Sequence, residues 1–217
     1  MKKFLATLLF LFSSLTMSAA FADAPKLGTE FDAVAQAIST EIPAKIEVME
    51  IFWYGCPHCY HMEEPLNAWV KKLPKDVYFK RVPGLPNASW APMAKAFYAM
   101  EALGVGEKLH TALFDAVHKT KTLNPGDETA AIAWVTQQSG LDKLKVEQAF
   151  KSFSVNTNLT RAAQIFRASG ATGVPSLVID GKYITSATQA GGNEQALKVA
   201  DYIIGNVRTD KAAAAKK

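Results

Sequence analysis

Cysteine is scarce in this chain: Cys56 and Cys59 are the only two among 217 residues. Two cysteines cannot build the multi-bridge scaffold that small exported domains use in place of a core. Net charge is equally scant, with 24 Lys and Arg against 20 Asp and Glu giving a formal +4. A balance so small argues against a nucleic-acid or membrane-surface partner. Long apolar runs are missing too: the longest, Phe4 to Leu15, is short of the roughly 20 residues a membrane-crossing helix needs. No internal repeat is visible.

What the N-terminus does have is an ordered leader. Lys2 and Lys3 precede the apolar run, and Ala20-Phe21-Ala22 precedes Asp23. Charged, apolar and small-residue parts in that order form a secretory signal peptide, expected to be cleaved after Ala22. Removing residues 1–22 lowers the formal charge from +4 to +2. No cysteine follows the cleavage point to carry a lipid, so the expected product is a soluble protein outside the cytoplasm. Its length suits one sizeable core, or a core with an inserted lobe.

Cys56 and Cys59 are separated only by Pro57 and His58. As a structural staple the pair would contribute little, since closing a loop of about four residues restricts the unfolded chain by roughly 2 kcal/mol. A chain of this size does not need so small a contribution. The surroundings point to chemistry instead. Ile46 to Trp53 is rich in β-branched and aromatic residues and predicts a buried strand. After it, Cys59, Met62, Leu66, Val70 and Leu73 recur at the spacing of a helix with one buried face. Pro57 suits the first helical position, which places Cys56 at the N-cap. Pro65 predicts a kink and Pro74 a stop.

A second strand is expected over 77–82, closed by Pro83, Gly84 and Pro86. From about Trp90 to Ser169 the periodicity is helical throughout, with Phe97, Leu113, Phe114, Val135, Phe150 and Phe153 among its apolar positions. Strand character returns at 175–179, Asp180-Gly181 reads as a hairpin turn, and 182–184 is the returning strand. A last helix over about 194–204 precedes an Ala/Lys tail, 208–217, expected to fray. The triplets Asn87-Ala88-Ser89 and Asn158-Leu159-Thr160 match a glycosylation acceptor, but triplets this short recur by chance. The β/α halves, 23–86 and 171–207, can share one sheet, with 87–170 as an inserted helical domain.

At a helix start, residues three apart stand about one turn apart, within reach of a disulfide. Cys56 is expected to face solvent and the free N–H groups of the first turn, which with the helix dipole stabilise a thiolate. Cys59, on the apolar stripe, is expected to be covered. Cys56 is therefore the candidate attacking thiol, and Cys59 the one that resolves a mixed disulfide. His58 can add a donor or a positive charge; His61 reads as a surface residue. Stabilising the reduced thiolate makes the disulfide a stronger oxidant.

The run from Glu50 to Tyr60, Glu50-Ile51-Phe52-Trp53-Tyr54-Gly55-Cys56-Pro57-His58-Cys59-Tyr60, resembles the active-site segment of the DsbA family. These are periplasmic disulfide oxidants with a thioredoxin fold and an inserted helical domain. Thr172-Gly173-Val174-Pro175 resembles that family's cis-proline loop. The resemblance implies an α/β, thioredoxin-like fold with an all-helical insertion, and oxidation of cysteine pairs in exported proteins within the periplasm. It also implies a cis Val174–Pro175 bond packed beside the Cys pair, with the Val174 backbone pairing to a substrate strand, a mode that accepts many unfolded partners. Glu50, six residues before Cys56, resembles the family's buried acid, with Lys80 as its partner and a proton relay for Cys59 as its role; a structural ion pair is the alternative. A thiol pKa of about 3.5 is that family's own value. Trp53-Tyr54-Gly55 departs from the best-known members and implies a different groove surface. Expected partners are reduced exported proteins and a DsbB-type membrane reoxidant; a monomer with no cofactor is expected.

Three other readings compete. A disulfide reductase or isomerase belongs to the same class, though Pro-His between the cysteines and no separate dimerisation domain favour the oxidant. A metal site on Cys56, His58, Cys59 and His61 is opposed by geometry, since four ligands on one helix turn cannot all face one centre. A peptide-binding chaperone with an idle disulfide is separated from an oxidant by a Cys56→Ser variant.

Overall fold

In the computed structural model residues 24–216 are described. The expected leader and its cleavage point after Ala22 lie outside them. The expected sharing of one sheet by the two β/α halves is what the fold shows. Five strands, β1 (Asp32–Ala33), β2 (Ile46–Phe52), β3 (Val77–Pro83), β4 (Ser176–Ile179) and β5 (Tyr183–Ser186), lie in the order β1-β5-β4-β2-β3. β2 pairs parallel with β3 and antiparallel with β4, and β5 pairs antiparallel with β4 and β1.

All seven residues of β2 are buried, which requires cover on both faces. On one face, Ile46 and Val48 pack with Met62 and Leu66 of α1 (Pro57–Val70) and with Leu197, Ala200 and Ile203 of α8 (Asn193–Ala214). On the other, Met49 and Ile51 pack with Ala162 and Ile165 of α6 (Phe153–Ser169). The period-two alternation of a strand thus sorts β2 into two cores.

Between β3 and β4 the chain leaves the sheet through a short 3-10 turn at Ala88–Trp90 and five helices. They are α2 (Ala91–Ala102), α3 (Gly106–His118), α4 (Glu128–Ser139), α5 (Lys143–Phe150) and α6. Asp127, Asp142 and Ser152 cap α4, α5 and α6 with side-chain oxygens that accept backbone N–H groups, each satisfying an otherwise orphaned donor. These helices build a third core around Leu113, Phe114, Val135 and Phe150, which also takes in Phe52 and Tyr54 from the sheet side. Phe153 departs from the expected apolar face: as the first residue of α6 it is 86% exposed.

The hairpin expected at Asp180-Gly181 is present, both residues having positive φ. β1 and the four-residue α7 (Ala187–Ala190) were too short to register as patterns. The expected fraying tail from 208 is instead helix as far as Ala214. Val207 is buried, Arg208 pairs with Asp76 at 2.6 Å, and Lys211 reaches the carbonyls of Pro43 and Lys45 and the carboxylate of Asp180. Long basic side chains can hold a polar helix end in this way.

Candidate redox site at the start of helix α1

β2 delivers the chain to the site and α1 carries it away. Between them a turn closes where the Cys56 N–H donates to the Trp53 carbonyl at 2.9 Å. Inside it, a Cβ on Gly55 would lie 2.3 Å from the Trp53 ring, so only hydrogen fits. Trp53 stacks on Trp90 with ring centroids 4.2 Å apart, and Tyr54 is buried to 1% exposure. Tyr54 therefore lines an interior core and not the groove surface that the sequence implied.

Cys56 is the N-cap of α1 and Pro57 its first residue, as the sequence predicted. Among the described residues no side chain caps this helix, and no acid lies in its first turn, so its unpaired N–H groups are open to the Cys56 sulfur. The Cys59 thiol donates to that sulfur, the backbone N–H groups of Cys59 and His58 face it, and the His58 ring favours negative charge there. Together, against the opposing effect of burial, they bring Cys56 down to about 6. Cys59 is fully buried. Burial pushes its pKa well above the ordinary thiol value, and the hydrogen bond and charge of Cys56 and the charge of Glu50 add to the rise. The pair is therefore split electrostatically in the sense a nucleophile and its resolving partner require.

One expectation needs correcting: Cys56 does not stand open to solvent but is 9% exposed. Its cover comes from the far side of the chain, where its Sγ donates to the Val174 carbonyl at 3.3 Å. The Val174–Pro175 bond is cis. A groove lined by His58, Gly173, Val174, Pro175, Ala187 and Thr188 opens beside the cysteines, with His58 exposed at its edge and His61 exposed on α1.

Glu50 is fully buried on β2, and its carboxylate accepts from Arg81 Nε at 3.0 Å. Burial raises its pKa to about 8, although the Arg81 guanidinium opposes the rise. The other carboxylate oxygen, Oε1, has no hydrogen-bond partner among the described residues. The partner implied by resemblance, Lys80, is incorrect. In the parallel register Glu50 faces Arg81 and Met49 faces Lys80; a step of one residue along a strand reverses the face. Lys80 thus lies on the opposite face, bonded to Glu41 at 3.0 Å and to the buried Glu47 at 2.9 Å.

Sequence reasoning missed the rest of the polar cluster behind the cysteines. Arg81 also donates to Glu63 at 3.3 Å and Asn67 at 2.7 Å, and Glu63 contacts His110 of α3 at 3.3 Å. The signals were present: Glu63 lies four residues after Cys59, and His110 four before Phe114, each on the covered face of its helix.

This arrangement, a parallel β2–β3 pair continued by an antiparallel hairpin with the Cys pair opening α1, is a thioredoxin-like fold. Residues 79–203 match the family model described as a DSBA-like thioredoxin domain. The thiol:disulfide interchange protein DsbA of Azotobacter vinelandii is 42% identical over 185 residues, 85% of each chain. That of Pseudomonas aeruginosa is 38% identical over 218 residues, covering both chains fully. The crystal structure of Pseudomonas aeruginosa DsbA aligns with a TM-score of 0.79 at 37% identity, over 89% of this chain and 97% of its own. That of an oxidoreductase DsbA from Xylella fastidiosa gives 0.80 at 27%, over 86% and 100%. The chain belongs to the DsbA family of thioredoxin-like proteins.

Proposed function

We propose that this protein introduces disulfide bonds into other exported proteins, with Cys56 as the reacting sulfur and Cys59 as its resolving partner. The observation that carries the reading is the placement of one sulfur over the free first-turn N–H groups of α1 and of the other behind it in the core. In the oxidised protein the two cysteines form a disulfide. A substrate thiolate attacks the Cys56 sulfur, the Cys56–Cys59 bond breaks, and Cys59 leaves and takes up a proton. A second substrate thiolate then attacks the substrate sulfur of the mixed disulfide and releases Cys56 as a thiolate. The substrate loses two electrons and the Cys pair gains them.

Each remaining residue has a part in this scheme. His58 favours the Cys56 thiolate, which makes it a better leaving group. The backbone of Val174, held at the Cys56 sulfur beside Pro175, lies where an extended substrate segment would pair. Glu50, with a pKa of about 8, is mostly protonated at neutral pH and is suited to supplying the proton that Cys59 needs. Residues 23–86 with 171–207 act as the redox unit and 87–170 as the inserted helical domain. The site of action is the periplasm, after cleavage behind Ala22, and a DsbB-type membrane protein restores the disulfide.

Two measurements test the reading. Short alkylation of the native reduced protein is expected to modify Cys56 ahead of Cys59; equal labelling would remove the assigned roles. Equilibration against glutathione is expected to leave the pair reduced in mixtures where a structural disulfide persists. A pair that stays oxidised there would overturn the oxidant reading.

A further inference from the structure

Tyr54 is fastened to one helix of the insertion at two points. Its hydroxyl lies 2.6 Å from Nδ1 of His110, and its carbonyl oxygen lies 2.7 Å from Nε2 of His118. Both histidines belong to α3. They are eight residues apart, about 12 Å along the axis and on roughly the same side of the helix. Because a carbonyl only accepts, Nε2 of His118 carries the proton in this contact. Each histidine is itself held. His110 is buried and reaches Glu63 at 3.3 Å; His118 stacks on the Tyr60 ring at 5.1 Å, and Tyr60 donates to Asp115 of the same helix at 2.8 Å.

The attachment falls at a sensitive point. The Tyr54 carbonyl belongs to the peptide plane that enters Gly55, the residue before Cys56, in the turn closed by the Cys56 N–H and the Trp53 carbonyl. Glycine has the widest backbone freedom of any residue, so that plane is the loosest link between the buried strand β2 and the sulfur. We propose that His118 and His110 are positioning residues for Cys56: from the helical insertion they lock the Tyr54–Gly55 peptide and so hold the sulfur over the α1 N-terminus and against the Val174 carbonyl. This rests on the reading of Cys56 as the attacking thiol. It gives the inserted domain a part in the chemistry through the backbone that leads into Cys56.

The test is the pH profile of Cys56 alkylation by iodoacetamide in the reduced protein, for wild type, His118→Leu, His118→Gln and Tyr54→Phe, with thermal unfolding measured in parallel. Gln retains an N–H donor at similar reach; Phe retains the ring and loses only the hydroxyl. His118→Leu and Tyr54→Phe are expected to move the midpoint of the profile upward. A rise of one unit lowers the reactive fraction at pH 5 about tenfold. His118→Gln is expected to return the midpoint to the wild-type value. Loss of melting temperature with an unmoved midpoint would show a merely structural role and overturn the inference. A shift that Gln does not restore would assign the effect to the lost Tyr60 stacking, overturning the hydrogen-bond argument. A shift in His118→Leu without one in Tyr54→Phe would remove His110 from it. If His118→Leu does not fold, His118→Phe, which keeps a ring to stack on Tyr60 and loses the N–H, takes its place with the same expected rise, and an unmoved midpoint there overturns the inference. Failure of the underlying functional reading looks different, because wild-type Cys56 itself would then show no preferential alkylation.

Discussion

Raising the pH should exchange the relative stabilities of the oxidised and reduced proteins. In the reduced form Cys56 titrates at about 6, against an ordinary value of 9.0. With the folded pKa depressed, the thiolate contributes stability that is complete above the unfolded pKa and is lost as pH falls through the folded one. At pH 5 it contributes almost nothing, at pH 7 about 1 kcal/mol, and at pH 8 about 3 kcal/mol. Cys59, pushed well above the ordinary range, keeps its proton throughout that interval. The oxidised form instead has the short loop closed by the disulfide, about 2 kcal/mol at any pH. Glu50 is present in both forms, so its titration cancels in the difference. The oxidised protein should therefore be the more stable at pH 5 and the reduced protein at pH 8, with a crossing at about pH 7.5. The family's own thiol pKa of about 3.5 would place that crossing at about pH 5, so the crossing point reads out the Cys56 titration. Urea unfolding of both forms at pH 5, 6, 7 and 8 measures it. A stability difference that stays flat across those four values would refute the electrostatic account of the site.

Replacing Arg81 with Leu leaves Glu50 and Glu63 buried without their shared cation, and should cost about 3–5 kcal/mol in urea unfolding. Gly55→Ala forces a methyl group into the Trp53 ring and should cost about 1–3 kcal/mol while disturbing the Trp53–Trp90 stack, which tryptophan fluorescence would report. Glu50→Gln should flatten the pH dependence of stability in the oxidised form and, in the reduced form, leave only the rise that the Cys56 thiolate gives. A folded pKa raised from 4.5 to about 8 gives stability that is complete below the unfolded value and lost as pH rises through the folded one. A Gln variant retaining the wild-type slope between pH 5 and pH 8 would show that another group titrates there.

Much of the site was legible because it is local in sequence. A strand, an N-cap cysteine, a proline at the first helical position and an apolar stripe including Cys59 are all written within one short segment. Long-range pairing was less so. Lys80 and Arg81 are adjacent cations on one strand, and only the β2–β3 register decides which of them meets Glu50 and which meets Glu47. The resemblance placed Val174 and Pro175 beside the Cys pair, but no local pattern showed that the Val174 carbonyl leaves Cys56 largely covered. Short elements such as β1 and α7 gave too few residues to show a period. The extension of α8 depended on distant carbonyls at Pro43 and Lys45 that no local pattern reveals.

The sheet is completed out of chain order, and this bears on when the site comes to exist. About ninety residues lie between Pro83 at the end of β3 and Ser176 at the start of β4. Closing so long a connection adds little entropy beyond a shorter one, about 0.6 kcal/mol for each doubling, but the pairing waits for the whole insertion to be present. In a chain emerging N-terminus first, Cys56 and Cys59 appear more than a hundred residues ahead of Val174. The Val174 carbonyl that covers the Cys56 sulfur is thus among the last parts to arrive. Until then both thiols belong to an unfinished sheet, and the newly made protein is itself a candidate for unwanted cross-linking by older copies of the same molecule.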